Sequence, residues 1–373
     1  MTRAAIITTT INAMPNMSAW VDQMSEDDVM IVVGDRRTPH TEIRVMAERE
    51  NARTGRDIRY VHPDDQSRWQ SSDVIPWNCI QRRNIAILEA LTYEPEFILT
   101  IDDDNYPVND DELAHEGDWL TRVHKILTTP SRGEFTWTNT GYFNPGELCD
   151  PPVVHRGFPP AQRHINHVQH SGHDIHSGPR HIGVFAALWL GDPDVDAVER
   201  IANAPVVERV LWDNVTLLRG TIAPFNSQAT AYRTALAPAL MCLPGVGRMD
   251  DIWASYVAGE IMEHVGLWLQ YGHPVVRQDR NEHDLVRDLE LELIGYRYTD
   301  DLLDHLTLAP LPRTSRVDEL VSALVRRLEK LPYVPALAIN AYDAWLDDLA
   351  AIDRNHPEAQ LFDAAVPDDN DED

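Results

Sequence analysis

Cysteine is scarce in this 373-residue chain: Cys79, Cys149 and Cys242 stand far apart, with no C-x-x-C spacing. That argues against a disulfide framework or a thiolate zinc site and fits a reducing cytoplasm. Basic residues are scarce too, with Lys+Arg 32 against Asp+Glu 60 and a net charge of −28. A field of that sign repels polyanions, so nucleic acid and anionic membranes are poor partners. An anionic ligand needs a local basic pocket or a bound cation. No apolar run reaches membrane-spanning length, and the one in "MTRAAIITTTINAMPNM" is too short for a signal peptide. The glycine fingerprints of cofactor sites are missing. G-x-x-x-x-G-K-[ST] and G-x-S-x-G do not occur. "GVGRMD" lacks a third glycine and does not open the first βα unit, so neither flavin nor NAD is expected.

What is present is a 43% hydrophobic chain able to bury a large core. "AAIITTTI" and "VMIVVGD" are β-branched runs that suit buried parallel strands, and "DIRYVHP" and "PEFILTIDDD" read as further strands. "MSAWVDQMSEDD" and "IQRRNIAILEALTYE" read as helices between them. The alternation predicts a doubly wound α/β sheet, with Thr8–Thr10, Gly34–Asp35 and Asp102–Asp104 at the carboxyl ends of strands, where ligands bind. Residues 140–182 read as a long loop rich in Pro, Gly and His. We expect residues 1–308 to form one catalytic domain and 309–362 a helical appendage, packed on the core or on another subunit. In the appendage, "TSRVDELVSALVRRLEKL" has one apolar face, with Ser315 and Asp318 at capping-box spacing. The acidic tail, 363–373, is expected to be disordered.

Six stretches could carry chemistry. In "FILTIDDDNYP", residues leaving a strand alternate, so Asp102 and Asp104 can face one site as hard oxygen ligands for Mg²⁺ or Mn²⁺; an acidic turn is the alternative. In "VVGDRRTP", Asp35 could meet base or ribose and Arg37 a phosphate, or the turn is simply solvated. Arg82 and Arg83 open a helix, where arginine is unfavourable unless an anion sits there; a phosphate or a surface salt bridge would supply it. "GVGRMDDIWASY" presents Arg248, Asp250 and Asp251, at least one aspartate capping the helix and the other free to act as a general base. His164, His167, His170, His173 and His176 recur every third residue, a period that suits a polar loop over a ligand better than zinc. In "RQDRNEHD", His283 or Asp279 could complete a metal shell and Arg277 or Arg280 meet phosphate, or the segment is a solvated loop.

In order along the chain, "FILTIDDDN", "NTGYFNP", "VHRGFPP", "ALWLGDPDVDA", "GTIAPFNSQATAYRTALAPAL" and "GVGRMDDIWASY" resemble the reversibly glycosylated polypeptide family, which includes the UDP-arabinopyranose mutases. "VVGDRRTP" and "QDRNEHDLVRDLELE" look more like related glycosyltransferase-like proteins. The resemblance implies a GT-A-type fold, a mixed Rossmann-like sheet flanked by helices, with a divalent metal on the aspartate motif. It implies Asp104 as metal ligand, with Asp102 toward nucleotide or sugar and in reach of the same ion. Thr8, Thr9, Asp35, Arg37, Arg82, Arg83, Asp103, Asn226 and Arg248 complete the expected nucleotide-sugar contacts. Of the family's two arginines in this region, Arg156 matches the second. The glycosylated one aligns near Cys149, where no arginine stands, which leaves Arg156 or Arg163 as substitutes. The family's late histidine falls near Gln278, with His283 displaced by several residues.

The expected activity is a metal-dependent, flavin-independent interconversion of pyranose and furanose nucleotide-diphospho-sugars, UDP- or GDP-linked. Asp250 or Asp251 would move a hydroxyl proton, and Arg82, Arg83 or Arg248 would face the diphosphate. The rivals are a glycosyltransferase with the same fold and metal, and a nucleotide-sugar-binding scaffold without catalysis.

Overall fold

The computed structural model describes residues 3–108, 118–172, 179–212, 214–281, 283–356 and 360–365. Four short-range β-branched runs build its centre: β1 (Ala4–Thr10), β2 (Val29–Gly34), β3 (Asp57–Val61) and β4 (Phe97–Thr100). They run parallel in the order β3-β2-β1-β4. Every residue of β1, β2 and β4 is buried, as expected of strands covered on both faces. The crossovers carry α1 (Met17–Val21), α2 (His40–Thr54), α3 (Ser71–Val74) and α4 (Arg83–Leu91).

Beyond β4 the sheet turns mixed. A short β5 (Asn105–Pro107) follows, then α5 (Trp119–Thr128), β6 (Phe135–Thr138), β7 (Cys149–Asp150), β8 (Gln169–Gly172), β9 (Ile182–Gly191), α6 (Ala197–Asn203), β10 (Arg209–Val210), β11 (Val215–Thr216) and β12 (Thr230–Arg233). The last elements are α7 (Asp250–Val265), β13 (Trp268–Gln278), α8 (Leu285–Leu306), α9 (Val317–Leu328) and α10 (Ala336–Asn355). β12 inserts antiparallel between β4 and β9, β13 lies parallel to β9, and β5 and β11 pair antiparallel with β13. The α/β architecture with a mixed sheet is GT-A-like. A purely parallel sheet, as the first hundred residues suggest, stops at β4.

The excursion at 140–182 contributes structure of its own, because β8 pairs with β6 and His170 stacks on Trp137 with ring centroids 5.6 Å apart. His167 engages Thr140 at 2.5 Å, while His173 and His176 lie outside the described residues. So does most of the acidic tail.

α9 buries Val317, Leu320, Val321, Leu324, Val325 and Leu328, the face its spacing predicts. The expected capping box does not form. Arg316 is the N-cap without a side-chain cap bond, and its guanidinium takes Asp318 at 2.8 Å and Asp353 at 2.9 Å. α9 and α10 lie on the chain's own core. Trp345 Nε1 donates to the Pro238 carbonyl at 3.1 Å, and Asp348 accepts from the backbone of Gln70 and Ser71 at 2.8 and 2.9 Å. Among the described residues, no helix is long and apolar enough to cross a membrane.

Candidate functional site

The aspartate turn is held from behind by α1. Asn16 Nδ2 donates to the carbonyls of Asp102 (2.9 Å) and Asn105 (2.7 Å), and Trp20 Nε1 donates to Asn105 at 2.8 Å. The end of β13 closes the other side, where the Asp279 N–H donates to the Asp104 carbonyl at 3.1 Å and the Asn281 N–H to Asp104 Oδ2 at 3.3 Å. The three carboxylates are thereby separated by partner. Asp102 pairs with buried Arg83. Asp103 accepts from Thr10 Oγ1 at 2.5 Å and Asn281 Nδ2 at 3.3 Å. Asp104 has Asn105 Nδ2 at 3.2 Å and the Gln278 side chain. Burial, then the charges of Asp102 and Asp103, push Asp104 up to about 7; burial and Asp102 also raise Asp103.

The anion that excuses an arginine at the start of α4 is thus protein-borne. Arg83 is fully buried, and the Asp102 charge outweighs the cost of burial. Its other contacts are the Ser227 carbonyl at 2.8 Å and hydroxyl, and the Ile101 carbonyl at 3.2 Å. This is a buried pair, where the sequence suggested a phosphate or a surface salt bridge. Arg82 is also buried; it stacks 3.3 Å from the Trp77 ring centroid and donates to Ser72. Asp35 is turned inward, accepting from the backbone N–H groups of Arg36 (2.6 Å) and Cys79 (3.1 Å), so it shapes the turn. Arg37 is exposed on that turn. Thr9 Oγ1 is spent on the Val33 carbonyl at 3.0 Å, and Thr8 Oγ1 on the Thr9 carbonyl at 3.4 Å. Thr10, one residue on, is the threonine that reaches the triplet.

Ser227 carries the network onward, its N–H and Oγ donating to Asp251 Oδ2 at 3.0 and 3.1 Å. Arg156 lies beyond. Its Nε and Nη2 donate to Asp194 at 2.8 and 2.9 Å, its Nη1 and Nη2 to Asp251 at 3.0 and 3.1 Å, and Nη1 also to the Arg248 carbonyl. A guanidinium has five N–H donors, and all five are engaged. Asn226 Nδ2 adds a bond to Asp194 at 2.6 Å. Burial opposes ionisation of Asp194 and Asp251, but Arg156 outweighs it and holds both below the usual carboxylate range.

Asp250 differs from its neighbour. Gln81 Nε2 donates to it at 2.6 Å, and burial together with the Asp251 charge pushes it up to about 7. Neither aspartate caps α7, whose N-cap is Met249 without a side-chain bond.

The remaining expected residues are committed elsewhere. Arg248 Nε donates to Glu292 at 2.8 Å and Nη1 lies 3.5 Å from Asp288. His283 Nδ1 meets Asp288 at 2.9 Å, so the aspartate turn receives Gln278 in its place. Arg163 pairs with Asp196 and stacks over Tyr296, 5.1 Å from the ring centroid. It caps no reacting position in this arrangement. Among the described residues, no group of three or more His, Cys, Asp or Glu side chains could hold a metal by itself. The donors at the turn are hard oxygens: the Asp102 and Asp104 carboxylates and the Gln278 amide, whose Oε1 is buried without a partner. Ser227, Thr10, Asp194, Gln81 and Gln278 had no assigned role from sequence. Asp194 lies in "ALWLGDPDVDA" and Ser227 in "APFNSQ", so the motifs enclosed them without distinguishing them.

A GT-A-like sheet with acidic residues at the carboxyl edge of β4 defines the class of protein. Comparison with known sequences narrows it. Probable UDP-arabinopyranose mutase 1 of Solanum tuberosum is 28% identical over 229 residues, covering 58% of this chain and 56% of the relative. Probable UDP-arabinopyranose mutase 2 of the same plant is 28% identical over 269 residues, 68% of this chain and 66% of the relative. UDP-arabinopyranose mutase 1 of Oryza sativa subsp. japonica is 26% identical over 275 residues, 70% and 69%. The chain therefore spans between a little over half and about two thirds of the length of these relatives. No family model matches it. The resemblance carried by the motifs is to the UDP-arabinopyranose mutase, or reversibly glycosylated polypeptide, family.

Proposed function

We propose that the chain is a divalent-metal-dependent, flavin-independent mutase that interconverts the pyranose and furanose forms of a UDP- or GDP-linked sugar. The observation that carries this reading is the hydrogen-bonded path Asp102–Arg83–Ser227–Asp251, with Asp250 beside its end. It joins an edge suited to a metal-diphosphate to a carboxyl group poised to exchange a proton near neutral pH.

Ring contraction without redox chemistry requires the bond from C1 to the diphosphate to break, leaving an oxocarbenium-like sugar. A different hydroxyl then attacks C1 and loses its proton, the bond from C1 to the original ring oxygen breaks as that oxygen takes up a proton, and the retained diphosphate recaptures C1. Asp250 takes the proton of the attacking hydroxyl and returns it to the released one; Asp251, held ionised by Arg156, keeps Asp250's affinity for that proton high. Hard, oxygen-only donors at Asp104, Asp102 and Gln278 fit Mg²⁺ or Mn²⁺, which bind few carboxylates and take further ligands from phosphates and water. Such an ion would offset the charge of the diphosphate. Arg156 is a positioning residue in this reading, since it has no nitrogen free to carry a sugar.

Incubation with UDP- and GDP-sugars plus Mn²⁺, without acceptor, followed by chromatography, tests the proposal. The expected product is an isomer of equal mass. The second reading is a glycosyltransferase, favoured by the absence of any free nitrogen on Arg156. Release of nucleoside diphosphate only when an acceptor sugar is added would establish it and remove the mutase.

A further inference from the structure

Of the arginines expected to face a diphosphate, Arg83 is neutralised by Asp102 and Arg248 by Glu292 and Asp288, while Arg82 is turned into the protein against Ser72 and the Trp77 ring. Arg280 is different. It is half-buried, makes no hydrogen bond or ion pair among the described residues, and its Nε is buried without a partner. Its place is set by both neighbours, because Asp279 N–H donates to the Asp104 carbonyl and Asn281 N–H to the Asp104 carboxylate. The guanidinium therefore belongs to the segment that closes over the aspartate turn. Burial is the main reason protonated Arg280 is less favourable than in water; the charges of Arg200 and Arg248 add to it and those of Asp194 and Asp192 oppose it. Arg200 has its own partners, Asp192 and the Pro193 carbonyl. A half-buried cation with unfilled donors is a costly arrangement unless an anion completes it.

We infer that Arg280 is the side chain that grips the diphosphate of the nucleotide, its planar fork matching phosphate oxygens. The inference rests on the nucleotide-sugar reading of the site but not on which reaction follows. In this arrangement an ion held by the aspartate turn would offset part of the diphosphate's charge and Arg280 would take the rest. Leaving-group retention then depends on Arg280, because Arg83, Arg156 and Arg248 are already held by carboxylates.

Calorimetric titration of the full-length chain with UDP, GDP and inorganic pyrophosphate, each with Mn²⁺, tests this. Arg280→Gln is expected to weaken the best-binding of these by roughly 10- to 100-fold, the worth of a hydrogen bond to a charged group. Arg280→Lys should recover part of the loss, and Arg313→Gln, at an exposed arginine, should bind as the wild type does. Uridine and guanosine, which lack phosphate, should bind the variant as they bind the wild type. The ligand-free thermal midpoint of Arg280→Gln should be unchanged or higher, whereas a structural arginine would lower it. Wild-type diphosphate affinity in Arg280→Gln, or an equal loss for nucleosides, overturns the assignment. Arg280-dependent binding of diphosphates without turnover of any nucleotide sugar would leave it standing and remove the mutase. A wild type that binds none of the three probes removes both.

Discussion

Asp250 and Asp251 are neighbours in sequence and opposites in environment: Gln81 donates a side-chain bond to Asp250, at 2.6 Å, while Arg156 grips Asp251 at 3.0 and 3.1 Å. One carboxyl group is fixed as an anion so that the other resists becoming one. A raised carboxyl pKa in the folded state means that the native protein binds a proton the unfolded chain has released. Asp250 therefore costs stability progressively as pH rises from 3.8 through about 7. Asp250→Asn should lower turnover by roughly 10²- to 10⁴-fold, the usual scale for a proton-transfer group. The same variant should melt above wild type at pH 8, with the gap closing toward pH 4. Thermal melts across that range check it; a pH-independent gap would show that Asp250 does not titrate there.

Arg156 neutralises two buried carboxylates, so its removal strands both. Arg156→Met should destabilise the fold by about 3–5 kcal/mol, the scale for breaking a buried ion pair by deleting one partner. Urea unfolding measures this. A variant of unchanged stability that has lost only activity would instead make Arg156 a catalytic residue.

The parts legible in the sequence are those encoded locally. β1, β2 and β4 announce themselves by β-branched runs, the aspartate turn by its position after one of them, and the buried face of α9 by its period. What was hidden depends on distance along the chain. Arg156 finds its partners 38 and 95 residues away, and an arginine that braces two carboxylates looks no different in sequence from one that meets substrate. β12, four residues long, enters the sheet antiparallel only because β4 and β9 are there to receive it. Thr8 and Thr9 are indistinguishable from Thr10 in "TTT", yet it is Thr10, the last residue of β1, whose hydroxyl meets Asp103.

At the aspartate turn, the Gln278 side chain supports Asp104. Asp104→Asn should abolish metal-dependent turnover. Gln278→Leu should weaken Mn²⁺ binding about 10- to 100-fold in the presence of nucleoside diphosphate, as loss of a ligand's supporting partner does. Electron paramagnetic resonance of free Mn²⁺ reads the ion's affinity for each variant. Unaltered Mn²⁺ affinity in Asp104→Asn would take the ion away from this turn, and His283→Ala, expected to leave that affinity unchanged, serves as the contrast.

The C-terminal helices bear on the site through one carboxylate. Asp348 of α10 accepts from Gln70 N–H, Ser71 N–H and Ser71 Oγ at 2.8, 2.9 and 2.7 Å, fixing the start of α3. Ser72 of that short helix in turn accepts from Arg82 at 3.0 and 3.1 Å, and Arg82 precedes the Arg83 that holds Asp102. Asp348→Ala leaves buried backbone donors without a partner and should cost about 1–3 kcal/mol. The consequence should extend to ligand binding, because α3 supports the arginine pair from below. Urea unfolding gives the first quantity and nucleoside diphosphate titration the second. Loss of stability with unchanged nucleotide affinity would confine α10 to a packing role; a fall in both would make it part of the framework that presents the aspartate turn.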